Sequence, residues 1–171
     1  DRVAVSDDPS SVEKSDALIM PGDGAFGMAM ENLSARGWIG PIHDFISGGG
    51  HFFGICLGFQ LLFSTSEEFG SHRGLDIIPG DVVRFNDEDL KVPHMGWNTV
   101  DLLHESTALD GIPSGSYFYF IHSYYPEVRD RSWVIGEVEY GKSFPCIVGK
   151  GNIIATQFHP EKSHTVGLKI V

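Results

Sequence analysis

Cys56 stands between two glycines in the heptapeptide Gly54-Ile55-Cys56-Leu57-Gly58-Phe59-Gln60, with the runs His51-Phe52-Phe53 before it and Leu61-Leu62-Phe63 after it. A nucleophile carried on a sharp strand-to-helix turn needs this pattern. The turn forces its central residue into strained backbone geometry, and neighbours without side chains let strand and helix approach each other. The heptapeptide therefore predicts a nucleophile elbow with sulfur in place of the usual serine oxygen. At the first turn of the following helix, unpaired amides and the helix dipole would favour a Cys56 thiolate. The alternative is a buried structural cysteine, since free cysteines commonly behave as small hydrophobes.

Such a sulfur needs a histidine as base, and the histidine needs an acceptor to fix its ring. Both occur in Gln157-Phe158-His159-Pro160-Glu161-Lys162-Ser163. In an extended segment, residues two apart share a face, so Glu161 can accept from one ring nitrogen of His159 while the other faces the sulfur. Cys56, His159 and Glu161 form a candidate triad.

Elements able to position these groups follow from the apolar patterning. Val3 to Val5 reads as a short strand and Asp8-Pro9-Ser10-Ser11 as a turn or helix cap. Ala17-Leu18-Ile19-Met20 reads as a buried strand ended by Pro21-Gly22. Helices are predicted from Met28 to Arg36 and from Pro41 to Ser47, and Gly48-Gly49-Gly50 leads into the strand before Cys56. The second half reads as strands at 77–85, 98–100, 117–121, 133–138, 146–148 and 153–157. Alternating strands and helices followed by strands predict an α/β sandwich of three layers around a mixed, mainly parallel central sheet.

At 171 residues with 42% hydrophobic content, the chain has the size of a single domain, residues 1–171, with a sizeable core. A formal charge of −11 argues against a nucleic-acid partner, because no basic stripe is available to neutralise phosphates. No apolar run approaches the length of a membrane span. Cys56 and Cys146 suggest no disulfide framework, so a reducing cytoplasm is the expected location. Both ends look abrupt: Asp1 precedes an early apolar alternation, and Val166 to Val171 reads like an amphipathic helix that stops early, which suggests a fragment.

Gly22-Asp23-Gly24-Ala25-Phe26-Gly27 has the spacing of a dinucleotide-binding fingerprint. Asp23 would set a carboxylate against a pyrophosphate, and Asp44, about twenty positions on, falls in a helical pattern instead of at a strand end. The same glycines suit a loop that offers an N–H near Gly24 to an oxyanion, the first donor being Leu57 N–H. Eight histidines invite a metal, but no paired-histidine or paired-cysteine spacing is present, so no metal or cofactor is expected. His43, His51, His72, His104 and His164 read as solvated or locally bonded, and Cys146 as core. Taken alone, Glu67-Glu68 reads as a solvated helix end.

With Pro93-His94-Met95-Gly96-Trp97-Asn98 and Tyr119-Phe120-Ile121-His122-Ser123-Tyr124 added, the chain resembles the class I glutamine amidotransferase family over essentially its whole length. Within it, the four segments are most similar to the branch that serves imidazole glycerol phosphate synthase in histidine biosynthesis. The resemblance implies a flavodoxin-like fold with one more strand and helix before Arg2 and a completed helix after Val171. It implies hydrolysis of L-glutamine to glutamate, with ammonia passed to a (β/α)8-barrel cyclase subunit that forms imidazole glycerol phosphate and AICAR. By the same resemblance Gln60, Glu68, Ser123 and Tyr124 hold the amino-acid end of the substrate, which replaces the solvated reading of Glu68. The segment Pro93, His94, Met95, Gly96, Trp97, Asn98, together with Lys162, would face the cyclase. Two residues depart from the family pattern: Phe59 where methionine is more usual, and Asp23 where an apolar residue is usual. Asp23 is expected to face away from Cys56. The remaining alternatives are another class I amidotransferase, a stand-alone γ-glutamyl cysteine hydrolase, and a catalytically silent regulatory module.

Overall fold

Apolar tetrapeptides and pentapeptides that end in Pro-Gly or in the Cys56 turn are too short for stable helices and suit strands covered on both faces. The computed structural model describes residues 3–86 and 90–171. In chain order it contains β1 (Ala17–Met20), α1 (Phe26–Ala35), α2 (Ile39–Ser47), β2 (His51–Ile55), α3 (Leu57–Gln60), β3 (Phe63–Ser66), β4 (His72–Arg73) and β5 (Ile78–Arg84). Then follow β6 (His94–Leu102), β7 (Ser116–His122), β8 (Tyr124–Val128), β9 (Val134–Tyr140), β10 (Lys142–Lys150), β11 (Ile153–Thr156) and α4 (His164–Gly167). No helix among the described residues is long and apolar enough to cross a membrane.

Seven strands form the main sheet in the order β1-β2-β11-β10-β9-β6-β7, and a second sheet runs β4-β3-β5-β8. The main sheet is mixed, as expected. Its parallel pairing, however, is confined to β1 with β2 and β2 with β11, and the other four pairings are antiparallel. The physical reason is connection length. Gly141 alone joins β9 to β10 and Gly151-Asn152 joins β10 to β11, and so tight a turn joins only antiparallel neighbours.

Four sequence-based expectations change. Val3 to Val5 is irregular and almost fully exposed instead of forming a strand. The strand expected from Cys146 begins already at Lys142, because a register shift at Cys146 accommodates Pro145 inside the strand. β3 and β8 also form; β8 carries Pro126, and neither has the alternation of an isolated strand. The apolar tail at 166–171 contributes only the short α4, followed by turn bonds such as Lys169 N–H to Val166 C=O.

Two apolar clusters hold these layers. One joins Phe26, Ile42, Phe52, Phe59, Phe63 and Ile78 beneath the elbow. The other joins Phe85, Phe118, Phe120, Phe144, Ile147 and Phe158 beneath the C-terminal strands. A fully buried side chain of this size contributes about 1.5–3 kcal/mol. The rings under β2 and β11 therefore fix both strand ends that carry chemistry.

Candidate active site

β2 and β11 are parallel neighbours in register Ile55↔Thr156, so the residues that follow them emerge at the same sheet edge. Cys56 follows the first and donates its N–H to Thr156 C=O at 2.8 Å. His159 lies three residues beyond Thr156. Parallel pairing thus brings together residues more than a hundred positions apart.

Cys56 has φ 54° and ψ −104°, a strained conformation for a residue with a β-carbon. Glycine is required on both sides by close approach. A Cβ at Gly58 would overlap the Met20 carbonyl, and one at Gly54 would lie 2.8 Å from the Gly58 carbonyl oxygen. The predicted elbow is present, but its helix is only four residues long. Burial pushes the Cys56 thiol up to about 12, outweighing the Leu57 N–H that favours the thiolate; the Asp23 and Glu161 carboxylates push it further up, and Lys162 opposes them. The expectation of a resting thiolate is corrected. At neutral pH the sulfur is a thiol, because desolvation of a compact anion exceeds what one short turn of helix returns.

His159 Nδ1 lies 2.8 Å from Glu161 Oε1. The carboxylate accepts, so neutral His159 carries its proton on Nδ1 and leaves Nε2 free to act as base. The route to this contact differs from the one anticipated. His159 itself is extended, but Pro160–Lys162 forms a 3-10 turn that folds Glu161 back onto the ring. Ser163, absent from the predicted set, braces the turn: its hydroxyl donates to His159 C=O at 2.6 Å and accepts from Tyr119 N–H at 3.0 Å.

The loop from Pro21 to Ala25 faces the elbow. A Cβ on Gly22 would lie 2.8 Å from Leu57 Cβ, so this glycine serves close packing. The nucleotide alternative fails at the next element. Glu68 Oε2 accepts from Phe26 N–H at 2.6 Å, placing a carboxylate at the α1 terminus where a pyrophosphate would sit. Gly24 adopts φ 107°, and the Leu57 N–H is near enough to the sulfur to favour its thiolate. Asp23 is exposed, and its charge is still felt there. Asp23→Asn is expected to lower the Cys56 pKa and raise thiol alkylation at fixed pH about two- to threefold. The gain stays small because exposed charges are screened, and it should vanish at about 1 M salt. A hundredfold gain in glutamine turnover would mean instead that the carboxylate points at the oxyanion position.

Gln60 is buried, and its Nε2 donates to Tyr124 C=O and to Gln157 Oε1, each at 3.0 Å, so only its Oε1 remains for a ligand. Tyr124 lies close enough to Glu68 for that carboxylate to raise its pKa, second to the effect of burial. Ser123 sits between β7 and β8, beside Tyr124. The anticipated substrate residues thus gather beside the elbow.

The sequence matches the Glutamine amidotransferase class-I family over residues 3–170. The chain belongs to that family. It is 50% identical over 173 aligned residues to the imidazole glycerol phosphate synthase subunit HisH of Syntrophotalea carbinolica, covering 98% of this chain and 84% of that one. It is 44% identical to the subunit of the same name from Methanocaldococcus jannaschii, over 100% of this chain and 85% of the relative. A solved glutamine amidotransferase matches the fold with a TM-score of 0.70 at 20% identity, covering 95% of this chain and 80% of that structure.

The amidotransferase turns the residues of β6 in two directions. Met95 and Trp97 on β6 are exposed, whereas His94, expected to face a partner, is 3% exposed and points inward. Alternation along a strand makes this unavoidable. Trp97 stacks on His164, ring centroids 4.8 Å apart. Lys162 is exposed on the turn after His159.

Proposed function

We propose that this protein is the glutaminase subunit of an imidazole glycerol phosphate synthase, a cytoplasmic heterodimer in which it hydrolyses L-glutamine and hands ammonia to a (β/α)8-barrel cyclase subunit. The observation that carries the reading is the strained Cys56 at the end of β2, beside a β11 extension where His159 is hydrogen-bonded to Glu161.

In this reading His159 Nε2 takes the thiol proton as the sulfur attacks the side-chain amide carbon of glutamine. The tetrahedral oxyanion is held by Leu57 N–H and by an N–H of the Gly24 loop. Collapse breaks the C–N bond, and His159 returns its proton to the departing amine, releasing ammonia and leaving a glutamyl thioester. His159 then deprotonates water, which attacks the thioester carbon. Loss of the sulfur, reprotonated by His159, frees glutamate. Gln60, Glu68, Ser123 and Tyr124 hold the amino-acid end. Glutamate release measured with and without the barrel subunit and its ligand tests the assignment. Turnover is expected chiefly in the complex, and no glutamate under either condition refutes it.

Cross-strand pairs Met95↔Ile121 and Trp97↔Tyr119 place apolar side chains on one face of β6 and β7, and Tyr117 extends it. Met95, Trp97, Tyr117 and Ile121 are all exposed, and Tyr119 C=O accepts from His159 N–H at 2.9 Å, so this face adjoins the base. These features support it as the cyclase surface, with Pro93, Gly96 and Lys162 around it, whereas Asn98 turns to the other face of β6, where it meets His94. Trp97→Glu is expected to weaken the subunit complex about thirtyfold or more, as for a central aromatic anchor, while leaving Cys56 alkylation in the free subunit unchanged. Titration calorimetry measures the first effect and mass spectrometry the second.

A further inference from the structure

Six polar groups link the inner face of β6 to the nucleophile, and acceptor-only carbonyls fix the direction of every bond between them. Asn98 Nδ2 donates to Glu139 C=O at 2.8 Å while its Oδ1 accepts from Thr99 N–H, so the amide orientation is settled. Its Nδ2 also reaches His94 Nε2 at 3.3 Å, and His94 Nδ1 lies 3.0 Å from His122 Nε2. His122 Nδ1 lies 2.8 Å from Tyr124 C=O, which only accepts. His122 must therefore carry its proton on Nδ1, which leaves Nε2 to accept from His94 Nδ1–H and His94 Nε2 to accept from Asn98. Burial holds both imidazoles neutral at physiological pH, as this pattern requires.

From the other side, Gln60 Nε2 also donates to Tyr124 C=O, so its second N–H goes to Gln157 Oε1. That bond leaves the Gln157 amide one orientation, with Nε2 toward Cys56 Sγ at 3.9 Å. Gln157 is fully buried. The glutaminase reaction develops anionic sulfur twice, at attack and again when the thioester is cleaved.

We propose that Gln157 is a further catalytic residue, its amide N–H donating to the Cys56 sulfur as negative charge develops there, and that His122 is a positioning residue that holds this amide through Tyr124 C=O and Gln60. The proposal rests on Cys56 being the nucleophile of the proposed reaction. The 3.9 Å contact is that of a resting thiol, and a catalytic hydrogen bond of this kind tightens when charge appears. His122 is suited to its role because its ring is enclosed by Phe85, Phe120 and Phe144.

The test is the iodoacetamide alkylation rate of Cys56 at pH 8 in the full-length protein, alone and with its partner, with peptide mapping to locate the label. Gln157→Leu removes the donor, and Gln157→Asn, one methylene shorter, withdraws it while keeping the polarity. Each is expected to slow alkylation about tenfold, the worth of one hydrogen bond to an anion, and to lower kcat for glutamine with little change in KM. If the leucine variant does not fold, the asparagine variant carries the test. An unchanged rate in a cooperatively melting variant overturns the proposal. For the positioning role, His122→Asn keeps an N–H near Nδ1 and is expected to stay within about threefold of the parent, whereas His122→Phe keeps the packing and should fall about tenfold. Equal rates in those two variants overturn that part. Because alkylation needs no glutamine, a parent protein that makes no glutamate refutes the proposed reaction while the rate comparison still decides the role of Gln157.

Discussion

Gly58→Ala is expected to abolish glutamine turnover and to cost about 3 kcal/mol of stability, read as a fall in Tm of about 10 °C. The added methyl would overlap the Met20 carbonyl oxygen and carbon, which are backbone atoms at the end of β1 and cannot rotate away. Either β1 or the elbow must shift, and a shift at the elbow displaces both the sulfur and Leu57 N–H. Gly24→Ala supplies the contrast. Its Cβ would meet nothing within 4 Å, but φ is 107°, so backbone strain of about 1–3 kcal/mol is the cost there. Differential scanning calorimetry and a glutamate assay on both variants decide the matter. A Gly58→Ala protein with parental Tm and activity would remove the elbow from the account.

Cys56→Ala is expected to lower turnover in the complex by at least about 10⁴-fold, because both halves of the reaction pass through the sulfur. Stability should follow an unusual order. At φ 54° and ψ −104° a β-carbon is strained, so Cys56→Gly is expected to exceed Cys56→Ala in stability by about 1 kcal/mol, the reverse of the ordinary preference. Glutamate release and thermal melts of the two variants check both halves of the statement. Turnover by Cys56→Ala comparable with the parent would refute the mechanism.

The elbow and the His159–Glu161 pair are legible in the chain because each is a local feature. Glycines flanking a cysteine state that two elements meet closely there, and a carboxylate two residues from a histidine is within reach in several backbone shapes. That breadth explains why the pair forms although the segment turns as a 3-10 helix instead of staying extended. Long-range partners are less legible. β3 lacks its own apolar alternation and is held as a strand by ladder pairing with β5 and β4 on its two edges, and β8, which carries Pro126, takes its register from β5. Pro145 lies within β10 beside a register shift, the kind of place where a strand accommodates a residue without an N–H.

The role of Gln157 was open to notice, since it begins the same heptapeptide as the base, yet nothing in the chain says that its amide meets Gln60, 97 positions away. The fingerprint of glycines at 22–27 likewise reads two ways until Glu68 is placed on Phe26 N–H.

Sequence by itself singled out the residues able to carry the proposed chemistry, because residue type sets what a side chain can donate, accept or attack. Tertiary structure alone decided the state of those groups. Whether Cys56 rests as thiol or thiolate, whether His94 faces outward or inward, and which nitrogen of His122 holds the proton all depend on burial and on partners brought together by the pairing of distant strands. Desolvation and hydrogen-bond direction belong to the assembled surroundings of a group and are not written in its near neighbours along the chain.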